Sequence, residues 1–160
     1  MISGEPCIEN FVKCIKERLS PQLENWGFSE DKHLSFYEYW HQKFVFIKDD
    51  IFITVDCEPT RGCGIDLMFG QITNGKIKKY YSFLTYMRLI DPYLASELGY
   101  SIPKDSIEID ELIQLYVKML TEHKENIVED CTKTVCWVEE KLTIEFANRQ
   151  FPVGDKFRGE

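Results

Sequence analysis

The sequence predicts an α+β protein in which helices precede and follow an antiparallel sheet. Apolar residues recur every three or four positions over residues 8–26, alternate over about residues 33–81, and return to helical spacing from residue 83. Connections within the middle block are too short for parallel crossovers, so its strands are expected to form an antiparallel β-meander. Segregated helices and strands are typical of the α+β class, with the helices packed on one face of the sheet.

The N-terminal helix is predicted from an amphipathic stripe with one interruption. Ser20 can cap a new helical start and Pro21 suits a first helical position, so a kink or two abutting helices are expected there. Gly27 is expected to end the helix, with Phe28 folding back onto it. The stripe consists of Ile8, Phe11, Val12, Ile15, Leu19, Leu23 and Trp26.

The middle block is expected to form four to five strands. Ile51, Ile53 and Val55 alternate with residues of the other face, as in a half-buried strand. Asn74–Gly75 favours a tight hairpin turn, because both residues tolerate positive φ. With helices on one face only, the other face is expected to be free and to carry the functional surface.

The C-terminal half is expected to be helical. Asp91–Pro92 predicts a second helical start, and Asp105 with Glu108 has the spacing of a capping box. Residues 134–149 fit a helix or a strand, and we favour the helix. Residues 151–160 are interpreted as a tail, so that a single domain spans residues 1–160.

Composition excludes several classes of protein. Apolar residues make up 44% of the chain and aromatic residues 14%, which is enough for a packed core. Asp and Glu number 27 against 19 Lys and Arg, and this net charge of -8 argues against a nucleic-acid partner. No apolar run is long enough to span a membrane, and no basic run leads into an apolar stretch at the N-terminus. We therefore expect a cytoplasmic protein with no membrane contact.

The six cysteines are interpreted as free, mostly buried thiols, since a chain of this size folds without disulfides in a reducing compartment. The alternative is a structural zinc site formed by Cys57, Cys63, Cys131 and Cys136. Their spacings lack the close pairs of zinc knuckles, and Cys131 and Cys136 would diverge on one helix. We expect no bound metal.

The chain lacks the common catalytic motifs. It has no Walker loop, no Rossmann glycine pattern, no His-Glu-x-x-His and no Gly-x-Ser-x-Gly. These absences favour a protein that is not an enzyme and that uses no cofactor. His123 lies on an apolar helical stripe and is interpreted as a core histidine. His33 and His41 would share one face of a continuous strand, where stacking of nucleobases is the alternative to ordinary packing.

Three carboxylates form the first candidate site. Asp56 and Glu58 point to one face if they share a strand, and the short following loop would bring Asp66 opposite them. Three interpretations stay open: a solvated sheet face, a contact for a basic partner, and a metal or catalytic site in which crowded carboxylates shift their pKa values.

The second candidate site is an acidic run in the C-terminal helices. Residues 105–130 contain eight acidic residues and two lysines, a local balance of -6. A solvated helix face would explain them, and so would a docking surface for a basic protein. We name Glu108, Asp110 and Glu111 as candidate partner-binding residues.

The layout resembles that of the small α+β immunity proteins of bacterial polymorphic or contact-dependent toxin systems. The resemblance lies in the helix that ends in 23–28, the aromatic meander with 51–56 as a central strand, and the acidic helices that follow. It implies a cytosolic protein that binds a toxin domain, often a basic nuclease, and blocks its active site.

Two other functions remain open from the sequence. One is a metal-binding or enzymatic domain built on Asp56, Glu58 and Asp66. The other is a structural homo-oligomer, for example a homodimer that covers the free sheet face with its own copy.

Overall fold

The computed structural model describes residues 4–38, 41–58, 64–99, 103 and 105–150. It confirms the α+β class: an N-terminal helical segment, an antiparallel sheet and C-terminal helices follow one another along the chain. No helix among the described residues is both long and apolar enough to cross a membrane.

The helices of the described part are α1 Gly4–Cys14, α2 Ser20–Asn25, α3 Phe83–Ile90, α4 Pro92–Gly99, α5 Ser106–Glu122 and α6 Cys131–Gln150. Two π-helical segments, Ile15–Leu19 and Glu125–Glu129, lie between α1 and α2 and between α5 and α6. The single helix α6 confirms the helical interpretation of residues 134–149.

The strands are β1 Ser29–Glu30, β2 Phe36–Glu38, β3 His41–Lys48, β4 Ile51–Glu58, β5 Gly64–Thr73 and β6 Lys76–Ser82. Their order in the sheet is β1-β3-β4-β5-β6, with β2 also paired to β3, and every pairing is antiparallel. The meander of four to five strands is thus confirmed and extended by a short strand.

The strand that would place His33 and His41 on one face if it were continuous is instead divided. β2 and β3 pair antiparallel, with Glu38 opposite His41. His33 precedes β2 in a turn in which its backbone N–H donates to Asp31. The two histidines therefore share no strand face, because the chain reverses direction between them.

Local signals act as expected at the helix ends and turns. Pro21 lies in the first turn of α2, after the π-helical segment. Gly27 has a φ of +94°, and the Phe28 N–H donates to the Leu23 carbonyl over 2.9 Å. Asn74 and Gly75 have φ values of 52° and 72°, as a primed hairpin turn requires.

The core lies between the helices and one face of the sheet. On this face Phe44, Val55 and Leu67 follow one another across three strands, as do Phe46, Ile53 and Phe69. These positions alternate with those of the other face, so period-2 patterning directs one set of side chains toward the helices. The buried faces of α1, α3, α5 and α6 complete the same cluster.

The face opposite the helices was expected to be free, and this is wrong for its centre. Val45 and Phe52 are each 1% exposed there, and Thr54 is 3% exposed. Toward the end of β4 the same face carries Asp56 and Glu58, which are only partly buried. The accessible part of this face is therefore a polar end.

Candidate functional site

The three carboxylates predicted from the sequence meet at one end of the sheet. Asp56 and Glu58 lie two residues apart on β4 and so point to the same face, away from the main core. Asp66 on β5 is the cross-strand partner of Asp56. Side chains directly opposite one another in an antiparallel pair have Cβ atoms about 5 Å apart, so like charges there destabilise the pair.

His41 joins this cluster, and the sequence did not assign it there. Its Nε2 atom lies 3.2 Å from Oδ2 of Asp56 and 3.9 Å from Oε1 of Glu58. The ring of Phe36 packs edge-on against the imidazole, with ring centroids 4.7 Å apart. We define the acid–histidine cluster as His41, Asp56, Glu58 and Asp66.

The sequence could predict only in part that His41 lies beside these carboxylates. The sequence placed His41 at the end of the segment 33–41, and its closeness to Asp56 depends on the register of β3 against β4, in which Lys43 faces Asp56. Because side chains two residues apart share a face, this register also brings His41 to the same end.

Burial shifts the protonation of both aspartates. Burial is the main cause that raises the pKa of Asp56, and the nearby Glu58 charge adds to it, while His41 and Lys43 oppose the shift. Burial and the Asp56 charge raise the pKa of Asp66, against hydrogen bonds from Ser82 Oγ and the Leu67 N–H. Lys43 forms no ion pair with either aspartate within the described residues.

In the second candidate site, two acidic residues at the start of α5 form hydrogen bonds within the fold. Asp105 caps the helix by accepting from the Glu108 N–H over 2.9 Å. Asp110 accepts two hydrogen bonds from the Arg18 guanidinium, at 3.0 and 3.2 Å, and another from Gln114. The Arg18 contact lowers the pKa of Asp110. Asp110 thereby ties α5 to the N-terminal helical segment.

The other acids of this segment face solvent. Glu111, Glu122 and Glu125 are exposed, and Glu108 is partly exposed. Glu129 is exposed and lies 3.4 Å from Lys124. We call the exposed carboxylates of residues 108–129 the α5 acidic surface.

The cysteines are only in part as expected. Cys14, Cys57, Cys131 and Cys136 are free, and the first three are buried. Cys7 is instead disulfide-bonded, which corrects the interpretation of all six cysteines as free thiols. Cys131 is buried and Cys136 exposed on α6, so these two diverge and do not form a joint zinc site.

His123 belongs to an aromatic group at the end of α5. Its Nδ1 atom lies 3.2 Å from the Tyr86 hydroxyl, to which the Asn126 side chain also donates. The imidazole is partly buried and packs edge-on against Tyr86 and Phe83. These contacts agree with the packing role predicted for His123.

Two cavities adjoin one another beside α6. One of about 360 Å³ lies between the turn at 48–51 and residues 128–133. The other, of about 320 Å³, has Tyr86, Ile90 and Trp137 in its lining. Asp130 and Lys133 line both cavities; the first also has Lys48, Asp49, Asp50 and Glu129 in its lining, whereas the second adds no other charged residue.

No protein-family model matches the chain, and comparison with curated proteins and with solved structures gives no significant match.

Proposed function

We propose that this protein is a non-enzymatic binding module that presents an acidic surface to a basic protein, in its most specific form an immunity-type inhibitor of a bacterial toxin domain. The observation that supports it is the local charge of residues 105–130, which hold eight acids against two lysines. Several of these carboxylates stay exposed after the internal contacts of the fold have been made.

The candidate residues of α5 differ in the contacts that they make within the fold. Asp110 pairs with Arg18 of the N-terminal helical segment, so its replacement would remove a contact within the fold as well as a surface charge. Glu108 and Glu111 lie on the same helix near its start and make the better test of partner binding. Asp56, Glu58 and Asp66 form a second acidic region at the sheet end.

The physical basis is electrostatic steering. A surface of one sign attracts a partner of the opposite sign before contact, which raises the association rate and makes it sensitive to salt. A basic nuclease domain is suited to such an inhibitor, because carboxylates occupy the place that phosphate groups would take. The contact requires no catalytic group on this chain.

The test uses the product of the gene immediately upstream as the partner. We expect the double variant Glu108→Gln, Glu111→Gln to associate about threefold or more slowly at low salt, with little change in dissociation. The matched control is Glu24→Gln, Glu140→Gln, which removes the same charge from exposed positions outside α5. Association is measured by stopped-flow fluorescence at low and high NaCl.

Two results would contradict the proposal. One is an association rate that responds neither to salt nor to the α5 variant. The other is an isolated chain that forms a stable homodimer by light scattering and no complex with the upstream product. The metal-binding alternative gains support from a different observation, the approach of His41 to the carboxylates.

A further inference from the structure

We propose that His41, Asp56 and Glu58 bind a divalent metal ion of the Zn²⁺ class at the polar end of the sheet face. One ligand atom from each residue can be chosen so that all three lie within 4.8 Å of one another. This inference does not depend on the α5 acidic surface, and the two proposals can fail separately.

The distances between the ligand atoms fit a single ion. Zinc binds imidazole nitrogen and carboxylate oxygen at about 2.0–2.2 Å, so two ligands of a tetrahedral ion are about 3.4 Å apart. Nε2 of His41 lies 3.2 Å from the Asp56 oxygen and 3.9 Å from the Glu58 oxygen. All pairs of the chosen ligand atoms lie within 4.8 Å, and we infer that side-chain rotation directs the three atoms at one point.

The ligand types favour a borderline metal over Ca²⁺ or Mg²⁺. Calcium and magnesium prefer ligand sets made of oxygen, whereas imidazole suits zinc and related ions. One nitrogen and two carboxylate oxygens leave a coordination position open. Such a site binds an ion together with water, or with a group from a partner.

The strands hold these ligands in place before any ion arrives. His41 begins β3, and Asp56 and Glu58 occupy alternate positions of the paired strand β4. The His41 side chain is 13% exposed, and Phe36 packs against its ring. Ligands fixed by packing lose little conformational entropy on binding.

The charge arrangement also favours a cation. Asp56 faces Asp66 across the β4–β5 pair, and Glu58 lies next to them on the same face. Ser82 Oγ donates to Asp66, and Lys43, the cross-strand neighbour of Asp56, forms no ion pair with either aspartate among the described residues. A divalent ion would neutralise two of these three carboxylate charges.

The experiment titrates Zn²⁺ into the full chain after removal of metal with a chelator. Isothermal calorimetry is expected to show one equivalent, and Co²⁺ is expected to give visible absorption bands of a bound ion. His41→Asn is expected to weaken Zn²⁺ binding at least about tenfold, as is Glu58→Gln. The matched control is His33→Asn, which removes an exposed histidine outside the cluster and leaves binding unchanged.

The outcomes distinguish a specific metal site from Zn²⁺ binding elsewhere on the surface. Zn²⁺ is expected to raise the Tm of the wild-type chain and of His33→Asn, but not that of His41→Asn. Absence of a stoichiometric ion in the wild-type chain would overturn the proposal. Equal Zn²⁺ affinity of His41→Asn and His33→Asn would do the same. If His41→Asn fails to fold, Glu58→Gln provides an independent test of Zn²⁺ binding, because Glu58 is the last residue of β4 and its replacement should disturb the sheet little.

Discussion

At the scale of single residues, burial controls the chemistry of the thiols. It raises the pKa of Cys57 and of Cys131 to about 12, and that of Cys14 to about 11, from an ordinary value of 9.0. Cys136, by contrast, is exposed on α6. Because the thiolate is the reactive form, these surroundings make the buried cysteines inert in the native protein.

We expect Cys57 and Cys131 to resist alkylation in the native protein and Cys136 to react rapidly. The reason is the combination of burial and raised pKa in the first two. Iodoacetamide labelling of native and urea-unfolded protein, read by mass spectrometry, measures this difference. Equal labelling rates at Cys131 and Cys136 in native conditions would contradict it.

The same pKa shifts predict a loss of stability at alkaline pH. A raised pKa in the folded state means that the thiol's stabilising contribution is complete below pH 9 and is lost as the pH rises toward 12. We expect Cys131→Ala to reduce this loss, since it removes one such thiol, and Cys136→Ala to leave it unchanged. Urea unfolding at a series of pH values from neutral to alkaline measures the slope, and an unchanged slope in Cys131→Ala would disprove the assignment.

At the scale of elements, the β5–β6 pairing depends on a glycine. A Cβ atom at Gly70 would overlap the Lys79 carbonyl oxygen and lie 2.7 Å from the Tyr80 Cα atom. The register between the two strands shifts just beyond this position, between Gln71 and Ile72. The close approach of the two backbones is possible because Gly70 has no side chain.

We expect Gly70→Ala to destabilise the protein by about 3 kcal/mol, since the clash is with backbone and cannot be relieved by rotation of a side chain. Gly75→Ala is the control: a Cβ atom there meets nothing within 4 Å, and only its φ of +72° opposes alanine, at about 1 kcal/mol. Chemical denaturation compares the two variants. A smaller cost for Gly70→Ala than for Gly75→Ala would contradict the structure.

At the scale of the whole molecule, the net charge of -8 affects stability. Self-repulsion destabilises a compact acidic chain, and salt screens it. The exposed ion pairs Arg18–Asp110 and Lys79–Glu139 are weakened by the same salt, but exposed pairs contribute little to stability. Repulsion within residues 105–130 is therefore expected to dominate.

We expect the Tm to rise when NaCl is increased from low to moderate concentration, and the rise to be smaller in Glu122→Gln, Glu125→Gln. These exposed residues belong to the α5 acidic surface. Differential scanning calorimetry measures the effect, with Glu24→Gln, Glu140→Gln as a variant of equal charge. A Tm that falls with added salt would show that ion pairs outweigh repulsion.

Features that depend on a few neighbouring residues were predictable from the sequence. The hairpin turn at Asn74–Gly75 and the cap at Asp105 each follow from the conformation or hydrogen bonding of a short segment. The alternation in β4 likewise placed Asp56 and Glu58 on one face. The α+β class follows from the change of period along the chain.

Features that depend on strand register and helix packing were decided by the tertiary structure. His41 lies beside Asp56 because β3 pairs with β4 in one register. Asp110 is engaged by Arg18, which is distant in sequence, and is therefore not counted among the proposed binding residues. The sequence alone thus determined most of the elements and which residues carry charge, because propensity and periodicity are local. Only the packed fold determined which charged residues meet, because those distances depend on contacts between segments far apart in the chain.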